Sequence, residues 1–219
     1  MELSTAEITA KPSPALTFPA KVISYVFHPL FIPTYIFLFL ARQVPYEFAG
    51  ITSFQLQLRL FSIFWMTAFF PAFAVFLLWR LKFSESIFLR TRKERIVPYV
   101  VTMFFYWWMY YLSRNFPDQP VVLKFFYFGI MLSTVFGLII NSYFKISLHA
   151  MGVGGAVAAI TLFAMYYRLP LGVSMSVATI IAGVVCTARF LVSDHTNKEV
   201  YSGLFVGILS QLLAYYFIM

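Results

Sequence analysis

Three short segments hold most of the residues in this chain that can do chemistry. They are Arg90-Thr-Arg92-Lys93-Glu94-Arg95-Ile-Val-Pro98, Lys145-Ile-Ser147-Leu-His149-Ala-Met-Gly152-Val-Gly154-Gly155, and Arg189-Phe-Leu-Val-Ser-Asp194-His195-Thr-Asn-Lys198-Glu199. Arginine forks match the oxygens of a phosphate group. Ser147 and the amides at a helix start add further donors. One imidazole can attack phosphorus while a second protonates the leaving oxygen. Glu199 stands four residues after His195, where on a helical turn its carboxylate holds the ring and fixes its tautomer. No dense carboxylate cluster is available for magnesium or calcium. The single cysteine, Cys186, excludes an intrachain disulfide framework and a Cys-based zinc site. The chemistry predicted is metal-free phosphoryl transfer with no cofactor.

These residues have to be carried by membrane helices. Of the 219 residues 61% are hydrophobic and only 11% charged, with a mean hydropathy of +0.82. A water-soluble domain is about half apolar and about one quarter charged, so soluble and disordered classes are both excluded. A bilayer core needs about 20 apolar residues in a helix, and seven stretches qualify: roughly 21–41, 57–81, 96–113, 120–144, 149–167, 170–191 and 200–218. The fold class predicted is all-α, a polytopic bundle of six to seven transmembrane helices. Residues 1–20 read as an N-terminal tail and 21–219 as a single membrane domain. His28-Pro29 and Pro33 predict a kink or break near the start of the first span.

The net charge of +8 fits juxtamembrane loops and a phosphorylated substrate better than nucleic acid. With seven spans, the N-terminus and the loops after spans two, four and six share one side. That side carries eleven of the sixteen lysines and arginines, Lys11 and Lys21 among them, and removing the six candidate site cations leaves five on each side. Taken singly, each segment has an ordinary reading. A basic run beside a span is a topology signal, a histidine at a helix start is a cap, and glycines let membrane helices approach closely. Convergence of all three on one membrane face is what favours a site. His28 reads as a packing residue and is left outside it.

In these residues the chain resembles the type-2 phosphatidic acid phosphatase superfamily, the membrane relatives of the vanadium haloperoxidases. The third motif of that family is Ser-Arg, five residues, His, three residues, Asp; here Ala188-Arg189, five residues, His195, three residues and Glu199 stand in the same spacing. Its second motif, Pro-Ser-Gly-His, is similar to Ile146-Ser147-Leu148-His149. Its first motif is matched only in compressed form by Arg92-Lys93-Glu94-Arg95-Ile-Val-Pro98. The resemblance covers about residues 90–210. It implies that His195 is the nucleophile, that Glu199 orients it and that His149 protonates the leaving group. Arg189, Arg95 and Lys93 would clamp the phosphoryl oxygens, with Ser147 assisting. The activity implied is hydrolysis of a membrane lipid phosphate or diphosphate by a multi-pass protein of the bacterial inner membrane. A competing expectation is a non-catalytic anionic-lipid-binding or transport protein, in which the broken first span is the moving part. A purely structural subunit leaves the histidines unexplained.

Overall fold

The computed structural model describes residues 13–89, 91–192 and 195–219. Within them the chain forms nine α-helices and no strand. Thr52 and Gln55 form a reciprocal capping box at the start of α3 (Ser53–Phe64), and Thr196 with Glu199 does the same for α9 (Asn197–Ile218). Helices α3 and α4 (Phe70–Arg80) join through a π-helical turn at Trp65–Phe69. Pro71 follows directly and has no N–H to give the preceding turn, and the widened turn absorbs that missing bond.

Six helical stretches among the described residues are long and apolar enough to cross a bilayer. They are Pro14–Gln43, Ser53–Arg80, α6 (Val121–Asn141), α7 (Leu148–Tyr167), α8 (Gly172–Val192) and α9. Helix α5 (Ile96–Asn115) matches them in length, but tyrosine and tryptophan rings with polar atoms dilute its apolar character. It packs against α6 and α4 beside the other stretches. The protein is a multi-pass helical bundle whose outer surface offers large apolar side chains, such as Val173, Phe205 and Tyr216, to lipid.

The first apolar stretch departs from expectation. Instead of one kinked span over 21–41, it is two helices, α1 (Pro14–Val26) and α2 (Ile32–Gln43), separated by extended His28 and a single 3-10 turn at Pro29–Phe31. Ser24, near the end of α1, meets Arg189 near the end of α8, and Leu16 shares a groove with Ile180 one third of the way along α8. Helix α1 is therefore parallel to α8. Pro29 and Ile32 meet Gly152 at the start of α7, while Tyr46, just past α2, stacks edge-on with Tyr167 at its end. Helix α2 is therefore parallel to α7. Because α7 and α8 are antiparallel, the chain reverses at residues 27–31. The tail expected up to residue 20 is likewise shorter, since α1 already begins at Pro14. The N-terminal end of α1 points away from the loops following α4, α6 and α8, while Lys21 stands three residues before Ser24, in the half of α1 nearer those loops; Lys11 lies outside the described residues.

Helix α7 is the spine of the bundle. It packs most closely on α9, then on α8, with α2 along its flank. The approach to α9 is close because small residues face each other. A Cβ on Gly203 would stand 2.5 Å from the carbonyl oxygen of Ser147, and one on Gly154 would stand 2.5 Å from that of Leu204. Gly203 and Gly207 on α9 repeat the four-residue spacing of small residues that lets membrane helices touch. The glycines at 154 and 203 thus serve packing, and in doing so they fix the start of α9 against the start of α7.

Candidate functional site

The starts of α5, α7 and α9 and the end of α8 meet at one end of the bundle, with the α1–α2 turn beside them. His195, in the α8–α9 connection, donates through Nδ1 at 2.9 Å to Glu199 Oε2, and its side chain is only 3% exposed. The same carboxylate oxygen accepts from the amide of Thr196 at 3.0 Å, so the capping box of α9 pins Glu199 before it pins the histidine. A carboxylate acting as acceptor leaves the proton on Nδ1 and turns the Nε2 lone pair away from Glu199. Burial pushes the pKa of His195 down to about 4; the hydrogen bond to Glu199 works the other way, and Arg95, Lys145 and Arg189 add to the lowering. Burial thus favours the uncharged ring.

Arg95, 9% exposed, points inward from the start of α5. Its Nε donates to Leu89 O at 3.0 Å and its Nη1 to Ile146 O at 3.1 Å, which ties α5 to the residue before Ser147. Its charge acts on both His195 and Glu199. Arg92 makes similar staples, with Nη1 donating to the carbonyls of Ser142 and Tyr143, while Asn141 Nδ2 donates to Arg92 O. Glu94 holds the preceding loop together. It accepts from the amide and hydroxyl of Thr91, the hydroxyl of Ser84 and the amide of Glu85, and the Thr91 amide foremost drives its pKa down to about 2.

Helix α1 completes the cluster from the side. His149 Nε2 donates to Ser24 O at 3.0 Å, and Arg189 Nη1 donates to Ser24 Oγ at 3.2 Å. The ring of His28 stands edge-on to that of His149, with centroids 5.1 Å apart, while its Nδ1 accepts from the amide of Leu30. The positive charge of Arg189 also bears on His149.

The structure therefore brings His195, Glu199, Arg189, Arg95 and His149 into one neighbourhood. Two predicted residues stand differently. Lys93 is exposed on the outer surface, because only Arg95 in that run turns inward at the helix start. Ser147 is fully buried; its Oγ caps α7 by accepting from the amide of Ala150, and its amide donates to Glu199 O. It acts as a joint between α7 and α9 and does not face a ligand. Arg90 and Asp194 lie outside the described residues. Two residues that sequence reasoning passed over, Ser24 and His28, contact the site directly. His28 carried a signal, since a histidine before proline in an apolar span needs a local partner; Ser24 carried none. Among the described residues no group of three or more His, Cys, Asp or Glu side chains is placed to hold a metal. Compared with family models, curated proteins and solved structures, the chain matches none.

Proposed function

We propose that this protein is an integral membrane phosphohydrolase that removes phosphate from a lipid phosphate or diphosphate through a phosphohistidine on His195. The observation that carries the reading is the His195–Glu199 pair. A buried, uncharged imidazole has its Nδ1 proton held by an anchored carboxylate and is flanked by Arg95, Lys145 and Arg189. Nε2 attacks phosphorus, the bond to the lipid oxygen breaks, and that oxygen takes a proton as the lipid alcohol or lipid monophosphate departs. Water then cleaves the P–N bond and releases inorganic phosphate. Arg189 stabilises charge on the phosphoryl oxygens. Arg95 supplies field from behind its carbonyl bonds, and His149 is the residue near enough to deliver the proton. The resemblance puts such an enzyme in the bacterial inner membrane.

A second reading has its own support. His149 Nε2 and Ser147 Oγ are both engaged in bonds within the protein, which suits a non-catalytic site for an anionic lipid. A phosphate-release screen separates the two. Detergent-purified protein is given phosphatidate, phosphatidylglycerophosphate, a polyprenyl diphosphate and lipid A phosphate, with His195→Ala in parallel. Hydrolysis predicts release from at least one of them, sensitive to vanadate and lost by about a thousandfold or more in His195→Ala. Turnover that survives the substitution sinks the mechanism, and binding without release establishes the second reading.

A further inference from the structure

One residue of α1 satisfies two site donors that come from different helices. Ser24 O accepts from His149 Nε2 at 3.0 Å on α7, and Ser24 Oγ accepts from Arg189 Nη1 at 3.2 Å on α8. The hydroxyl proton of Ser24 is itself directed to Ala20 O at 2.9 Å, so toward Arg189 the oxygen acts as an acceptor. A phosphoryl group presents the same pattern to an imidazole N–H and a guanidinium, two neighbouring oxygens that only accept. We propose that Ser24 is an internal stand-in for the phosphoryl group, and that α1 is a lid which swings aside when a phosphorylated lipid takes its place. The inference rests on the phosphoryl-ligand reading above and adds how that ligand reaches His149 and Arg189.

The seating of α1 suits such a movement. It packs on α8 and makes few contacts with any other helix. Even there a groove of about 420 Å³ stays open, lined by Leu16, Ala20 and Ile23 of α1 and by Ile180, Gly183 and Val184 of α8. The outward face of α1 carries Val22, Tyr25 and Val26, all exposed to lipid, so a sideways displacement leaves apolar surface in an apolar solvent. A single extended residue, His28, joins α1 to the rest of the chain ahead of the Pro29 turn and supplies the pivot. Displacement also frees the His149 Nε2 proton for the leaving oxygen, which the closed arrangement spends on a carbonyl.

The test uses the full chain in phosphatidylcholine nanodiscs, with inorganic phosphate and phosphatidate as separate probes. Ser24→Ala keeps a good helix former at that position, removes the competing Oγ and is expected to tighten probe binding about tenfold, the lower end of what one net hydrogen bond to a charged group is worth. Spin labels at Tyr25→Cys and Val177→Cys, in a Cys186→Ala background, are expected to move apart by several ångströms when the probe binds. Movement with phosphatidate alone identifies the lipid as the source, and movement with both shows that free phosphate suffices. Binding that weakens or holds constant in Ser24→Ala, with an unchanged label distance, overturns the lid and makes Ser24 a positioning residue while leaving the phosphoryl site intact. Absence of binding by either probe to either protein overturns the phosphoryl reading itself.

Discussion

The two ends of the bundle treat positive charge in opposite ways. At the end formed by residues 44–52, 116–120 and 168–171, Arg59 pairs with Asp118, also donates to Gln119 at 3.1 Å and lies over the ring of Phe116. That is an ordinary boundary arginine, neutralised by a carboxylate that is itself half in solvent. At the other end Arg95 and Arg92 are bonded to backbone carbonyls, which satisfy donors without cancelling charge. All three histidines of the chain gather at that end too. A cation that only marks membrane topology is free to take a carboxylate partner; one that builds a field around a neutral histidine keeps its charge. The ledger of basic residues along the chain merges these two uses, and the partners separate them.

Substitutions at the two ends can break this contrast. The largest difference is expected between Arg189→Ala and Arg59→Ala. The first weakens phosphate binding by roughly tenfold to a hundredfold through loss of a charge-assisted donor, and the second leaves it within about twofold; equal losses in titrations of both variants would erase the distinction. Stability should divide the ends next. Arg95→Ala leaves the Leu89 and Ile146 carbonyls without their donor and costs about 2 kcal/mol, whereas Arg59→Ala costs about 0.2–1 kcal/mol. Thermal unfolding in one detergent, run side by side, measures the gap.

A smaller effect appears with pH. The folded pKa of His195 lies near 4 against 6.5 for the free side chain, so the unfolded chain binds the extra proton first. Its contribution to stability is present above pH 6.5 and drains away as pH falls from 6.5 toward 4. Glu199→Gln removes a bond that holds this pKa up and lowers it further. Nitrogen chemical shifts of His195 should report a neutral ring at pH 5.5; a ring already half charged there contradicts the buried, cation-flanked setting. The smallest effect is expected of Lys93→Ala, whose exposed side chain should leave phosphate binding within about twofold.

Much of this arrangement was legible in the chain. Apolar stretch lengths gave the helices, and the parity of spans put the Arg92–Arg95, Lys145–His149 and Arg189–Glu199 segments on one face. The four-residue step from His195 to Glu199 gave their hydrogen bond. The reversal between α1 and α2 was not legible, because hydropathy sums along a stretch carry no sign for direction, and one extended residue with ψ 135° at His28 is enough to turn it. Ser24 was invisible for a related reason: a lone serine in an apolar helix is usually bonded to its own preceding turn, as Ser24 also is to Ala20. Lys93 and Arg95 were equivalent by composition, and only the rotation of the α5 start separates an exposed side chain from a buried one.

The tight seam between α7 and α9 also orders events in time. His149 leaves the ribosome about fifty residues before Glu199, and the small residues that seat α7 wait for Gly203 and Gly207 of the final helix. Until α9 inserts, the amide of Ser147 has no Glu199 carbonyl to meet and His195 has no anchored carboxylate. The site is thus a late product of biogenesis, and a nascent chain halted before α9 already holds its arginines and all three of its histidines with no means of using them.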